Sequence, residues 1–249
     1  MKYFIIILLP LFTLLANDAK QKVTLGVGAY VQTQPYKDVT SIVVPSPVIF
    51  FDNSLFYVRW SRAGIYFLGD KNDDYAWGFS ITAEPRPFGF KPSDSNAVKN
   101  LDERETSFEG GIAFSASMQE KYIEIMALTD LLREHNAWLL KAEIGNKYRV
   151  KNFSFYPSIT LSYQSDAFMN YYYGVSQKEA LYSKYNFYKA EAGFQFGVQT
   201  YIKYPLTNKL STLINLRADL LPKSAKDTPI VEQNSIYSGL VSLIYTFEY

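Results

Sequence analysis

The chain closes on a strict alternation of apolar and polar positions. From Ser235 to the end, Tyr237, Val241, Leu243, Tyr245, Phe247 and Tyr249 share one face at period two, with Gly239 the one gap. The other face carries Ser238, Ser242 and Thr246 among aliphatics. A period of two is the mark of a strand whose faces meet different surroundings. The same pattern predicts strands over 23–33, 43–51, 55–61, 65–69, 75–83, 105–118, 121–131, 137–148, 153–163, 187–204 and 209–220. With the closing strand that makes twelve, or ten if the short segments around Arg62 merge. At 75–83 the alternation is cleanest: Tyr75, Trp77, Phe79, Ile81 and Ala83 oppose Ala76, Gly78, Ser80 and Thr82. No helical period and no heptad interrupts the series.

The connections sort by parity. Counting from the first strand, the turns at Asp52, Asp70, Gln119, Arg149 and Pro205 fall at one end and are short. The long connections 32–42, 84–104, 165–185 and 221–234 fall at the other, where 62–64 and 132–136 are the short exceptions. A soluble sandwich has no reason to sort its loops in this way. An outer-membrane barrel does, with short periplasmic turns and longer extracellular loops. The expected fold is therefore an all-β antiparallel transmembrane β-barrel of about twelve strands, one domain over 20–249, with apolar side chains outward to lipid. The closing strand then descends to the periplasm. It resembles the last strand of outer-membrane proteins as a class, in which Leu243, Tyr245, Phe247 and the terminal Tyr249 stand where the barrel-assembly machinery reads its signal.

Composition agrees. Aromatic residues make up 17% of the 249, while the mean hydropathy is only −0.11, as expected of a wall with one greasy and one wet face. A net charge of +1 gives no basic footprint for nucleic acid. The absence of cysteine excludes a disulfide framework, a thiolate metal site and a lipoprotein anchor. Residues 1–19 form an expected signal peptide: Lys2, an apolar run over 3–15, then Ala16 and Ala19, either of which suits cleavage. That run is short for a span of about twenty apolar residues.

Candidate chemistry is sparse. The single histidine, His135, sits beside Asn136 in a short outer turn with no serine in that turn, and reads as a solvated residue rather than a general base. No G-x-S-x-G or H-E-x-x-H occurs. Asp70, Asn72, Asp73 and Asp74 lack the spacing and closing glutamate of a calcium loop. No catalytic, cofactor-binding or metal-ligating residue is assigned. Inward charges are expected at Arg59, Glu109, Lys141, Glu143, Lys189, Glu191, Arg217 and Asp219. They should pair across the lumen, because burying such charges alone is costly.

Several stretches together resemble the MipA/OmpV family of outer-membrane proteins. They are V-T-L-G-V-G-A-Y-V from Val23, Val44-Pro45, D-A-F-M-N-Y-Y-Y-G-V from Asp166, K-D-T-P-I-V from Lys226, and the ending G-L-V-S-L-I-Y-T-F-E-Y. Thr228 stands where the family motif has serine, and two residues follow Phe247. The resemblance implies a non-enzymatic barrel in the bacterial outer membrane, among lipid and lipopolysaccharide. It also implies a structural or scaffolding role at the envelope, linking a lytic transglycosylase to a penicillin-binding murein synthase. A narrow solute channel lined by the inward charges is the alternative, and an enzyme using His135 at the rim ranks third. Deleting residues 247–249 is expected to impair insertion, seen as loss of the chain from isolated outer membranes; a truncated chain that inserts normally would contradict this reading of the closing strand.

Overall fold

One antiparallel sheet closes on itself in the computed structural model, which describes residues 22–86 and 89–248. The expected signal peptide and Tyr249 lie outside the described residues. The strands are β1 (Lys22–Gln32), β2 (Ile42–Asp52), β3 (Phe56–Arg59), β4 (Arg62–Lys71), β5 (Tyr75–Arg86), β6 (Ser107–Met118) and β7 (Lys121–Asp130). They continue as β8 (Trp138–Asn146), β9 (Tyr148–Val150), β10 (Phe153–Gln164), β11 (Gly193–Pro205), β12 (Leu210–Leu220) and β13 (Ser235–Glu248). Apart from β8 and β9, which do not pair with each other, each pairs with its neighbours in sequence, and β1 closes the ring on β13 from Lys22↔Glu248 to Gln32↔Ser238. β8 and β9 are two parts of one run, since both pair with β10. The break lies opposite Pro157, which has no N–H to offer the ladder. The wall therefore has twelve strands, the number expected from the alternation.

The period-two pattern becomes the two faces of the wall. Leu25, Val27 and Val31 of β1 are exposed outward, whereas Gly26, Gly28 and Tyr30 lie inward. Outward aromatics gather in two belts. At the end holding both termini, Phe153 packs on Tyr204 with centroids 4.8 Å apart and Tyr245 on Phe247 at 4.7 Å. At the loop end Trp138, Tyr163 and Phe194 follow one another at 5.5 and 5.1 Å. Amphipathic rings at both borders of an apolar band mark a membrane-spanning barrel.

Four details differ from the sequence reading. β11 starts at Gly193, not at residue 187. β5 continues through Glu84 and Pro85 to Arg86, where a loop was expected, and the β3–β4 hairpin turns at Trp60 and Ser61. The long connections are not structureless: they hold α1 (Asp166–Tyr173), α2 (Gln177–Tyr182) and α3 (Lys223–Lys226). Helices this short give no readable period, although Ser176 and Glu179 form a capping box at α2 whose S-x-x-E spacing is visible in the sequence.

Closure depends on close approach of β1 and β13. A Cβ built on Gly28 would collide with the Val241 carbonyl and the Ser242 side chain. Gly28→Val is expected to cost about 1–3 kcal/mol, the usual range for overpacking, read as a lowered midpoint in urea unfolding of the folded barrel. An unchanged midpoint would show that this ladder has slack.

Candidate functional site

The interior is built in layers. In the lower lumen the Arg59 guanidinium donates to Glu124 and Asp52, each at 3.1 Å, and to the Tyr66 hydroxyl at 2.6 Å, and it lies over the Tyr57 ring. Arg62 reaches the other Glu124 oxygen at 2.5 Å. Glu143 accepts from the Tyr122 hydroxyl at 3.0 Å and from Gln199 at 2.9 Å. Arg217 and Asp219, two apart on β12, form a bidentate pair at 2.6 and 2.8 Å.

Higher up, Arg86 and Glu109 are a buried bidentate pair. Lys141 binds Glu84 and comes within 4.0 Å of Glu109. Removing one partner of a buried pair of this kind typically costs about 3–5 kcal/mol, because the other charge is left uncompensated.

Above this layer the extracellular mouth is closed by an apolar cap. Phe168, Met169, Tyr172 and Tyr173 of α1 are fully buried and pack with Tyr36, Phe90, Val98, Leu101, Val175, Ala225 and Ile230 from the other loops. The Phe168 ring rests on the Arg86 guanidinium, 4.7 Å from its centroid. Polar ties lock the loops to each other. Arg104 donates to Glu179 at 2.7 Å and to the Gly174 carbonyl at 3.2 Å. The Thr228 hydroxyl donates to the Tyr173 carbonyl at 2.7 Å, and Asn170 brackets Ala190 through both of its amide atoms. The Arg104 guanidinium holds the Glu179 carboxyl below the usual range against the opposing effect of burial.

His135 is the largest departure from the sequence reading. It is not a solvated turn residue: its ring is fully buried against Phe168, Tyr171 and Tyr172. The reason lies in Asp130, which accepts from the backbone N–H groups of Leu132, His135 and Asn136 and curls the β7–β8 turn inward beneath α1. The Ala137 N–H donates to His135 Nδ1 at 3.2 Å, which assigns the proton to Nε2, 3.7 Å from Glu109. Ser107 donates to Asp130 at 2.5 Å and does not bond the imidazole, so no serine–histidine dyad is assembled.

The expected lumen residues thus divide. Arg59, Glu109, Lys141, Glu143, Arg217 and Asp219 face inward into the networks just described. Lys189 and Glu191 do not: both are exposed in the loop before β11, because the strand starts at Gly193. Glu84, Arg86 and Arg62 are members that sequence reasoning missed. Their signal was the inward phase of β5 and β4 carried past positions where Pro85 and Gly64 suggested loops. Leu243, Tyr245 and Phe247 lie on the outward face of β13 at the end holding the termini.

A closed twelve-strand ring with an apolar outer band, two aromatic belts and a polar, capped lumen defines an outer-membrane β-barrel protein. The model of the family described as MltA-interacting protein MipA matches residues 25–247, and the chain belongs to that family. The MltA-interacting protein of Escherichia coli (strain K12) is 28% identical over 249 residues, covering 97% of this chain and 98% of its own. Outer membrane protein OmpV of Vibrio cholerae is 21% identical over 181 residues, 73% and 69% of the two chains. Among solved structures, OmpT, an outer membrane protein of Vibrio cholerae, aligns over 95% of this chain and 100% of its own at 8% identity, with a TM-score of 0.41.

Burial lowers the His135 pKa, outweighing the carboxylates of Asp130 and Glu109, and Arg86 adds to the depression. The imidazole is therefore neutral in the closed cap, while in an opened cap it regains an ordinary pKa of about 6.5. The opened state then binds the proton more readily, so stability of the cap is lost as pH falls through about 6.5. Hydrogen-exchange protection of α1 is expected to fall on acidification in the native chain and to lose that step in His135→Gln. The same pH step in both proteins would contradict the assignment.

Proposed function

We propose that this chain is a closed, non-catalytic scaffold of the outer membrane that holds a murein lytic transglycosylase, and through it a penicillin-binding protein, at its periplasmic rim. The observation that carries this reading is the sealed mouth. Fully buried aromatic residues of α1 sit over a paired charge layer, so among the described residues the extracellular mouth is covered by the loops. The inaccessible His135 and the engaged Ser107 support a role without catalysis. The relative named MltA-interacting protein, aligned over nearly the full length of both chains, supports the class of partner. A solute channel would require α1 to leave the mouth.

The periplasmic rim offers more surface than short turns suggest. β9 pairs only with β10, so this hairpin projects past the β6–β7 turn, and Arg149 and Lys151 at its tip are exposed. Contacts with outer-leaflet lipopolysaccharide and with the barrel-assembly machinery belong to the same reading, through the apolar band and the outward face of β13. Mild crosslinking in native cells is expected to capture a lytic transglycosylase or a penicillin-binding protein, and reversing both charges (Arg149→Glu with Lys151→Glu) is expected to reduce the yield several-fold. Repeated absence of both enzymes from the crosslinked material would overturn the proposal.

A further inference from the structure

The wall has a lateral notch on its extracellular side. β3 is only four residues long, and its hairpin with β4 ends at Trp60, whose N–H donates to the Ile49 carbonyl at 2.7 Å. Above that bond, β2 from Ile42 to Val48 pairs with β1 alone. On the far side, β4 pairs with β5 no higher than Ala63↔Ala83, while β5 continues to Arg86. Two strand edges therefore face each other across the space that β3 and β4 leave empty. In lipid such edges are normally forbidden, because an unpaired N–H finds no acceptor there.

The sequence removes most of these donors. Backbone groups alternate sides along a strand. Ile49 presents its carbonyl to the notch, so Pro47 and Pro45 stand in the same phase. Tyr75 presents its carbonyl toward β4 by accepting from Asn72, so Pro85 is in phase with it and faces the notch beyond the last β4 pair. Three positions that would have carried orphan N–H groups into hydrocarbon are prolines. The same substitution forbids strand addition, which needs those donors, so the notch suits a ligand that asks for no backbone hydrogen bond.

Its surfaces are apolar. Val44 belongs to the inward phase of β2 yet is 41% exposed, because the wall beside it is missing. At the floor, the Trp60 indole donates to Ser46 at 2.9 Å and packs edge-on to Tyr30, against an apolar lumen cluster of Val48, Leu213, Leu240 and Ile244. Trp60 is held at φ 58°. A bulky residue in that region is strained and persists only where its surroundings fix it. Immediately above, where β2 starts at Ile42, lies a cavity of about 430 Å³ between the 33–41 and 89–106 loops. Among its lining groups, Gln34 Oε1 and Arg104 Nε are buried without a hydrogen-bond partner.

We propose that the notch binds one acyl chain of an outer-leaflet lipid, laid across Val44 onto Trp60, with the polar end of that lipid in the cavity against Gln34 and Arg104. Hydrocarbon covers the proline-bearing edges, and the two orphaned polar atoms meet a hydrogen-bonding head. The proposal does not depend on the scaffold reading.

The three tryptophans allow a direct test. The full chain carrying Trp77→Phe and Trp138→Phe keeps Trp60 alone. In vesicles of phospholipid brominated along its acyl chains, its emission is expected to be quenched to the same degree as that of a variant keeping only lipid-facing Trp138. An unquenched Trp60 would overturn the proposal. Because the chain lacks cysteine, Val44→Cys carrying a nitroxide gives a second reading. Faster relaxation by oxygen than by a water-soluble nickel chelate is expected. The reverse order, meaning a wet notch, or shielding from both, meaning a protein cover, would each refute it.

Discussion

Every backbone N–H that crosses hydrocarbon must find its acceptor within the protein, since lipid offers none. That constraint is met here by the ladder between β1 and β13, which turns an open sheet into a ring whose remaining edges are the upper parts of β2 and β5 beside the short β3–β4 hairpin. The rest follows from closure. The outward phase must be apolar, so Leu25, Val27, Leu243 and their counterparts face lipid. Gly26 and Gly28 must be small, so the seam can shut. Proline is tolerated within the wall only where no partner strand waits for an N–H, which describes Pro45, Pro47 and Pro85. At Pro157 the ladder itself gives way between β8 and β9.

Closure also creates the problem of the interior. A twelve-strand ring is wider than the eight-strand barrels that side chains fill by themselves. This chain fills it in two ways. Long charged side chains reach between non-neighbouring strands in pairs, among them Arg59 and Arg62 with Glu124, and Lys141 with Glu84. Over them the extracellular loops bring an apolar core of their own, with α1 as its centre. The layers are coupled, because the Phe168 ring lies on Arg86 and the buried His135 contacts both α1 and Glu109. A charge lost from the upper layer would be felt in the cap.

Most of the wall was legible in the sequence, because a strand with unlike faces writes its phase into every second residue and parity sorts its loops. Twelve strands and their orientation follow from those two signals. The cap was not legible. Its helices are too short to show a period, and their apolar residues are set by contacts between distant loops, such as Tyr36 with Phe90 and Tyr173. His135 was misread for the same reason: its burial is decided by Asp130 and by α1, neither of which its own turn reveals. Lys189 and Glu191 were carried into the lumen by extending a correct phase beyond the true start of β11. Glu84 and Arg86 were left out by the opposite error, ending β5 at a proline that marks an edge rather than a stop.

The central claim is that the loop cap seals the lumen and makes the barrel a closed body. Its most direct test is ion conductance across planar bilayers holding the purified full chain. The account predicts no conductance steps for the intact protein, and steps once Phe168 and Tyr172 are both replaced by aspartate to expel α1 from the mouth. Steady open-channel steps from the intact protein would contradict it.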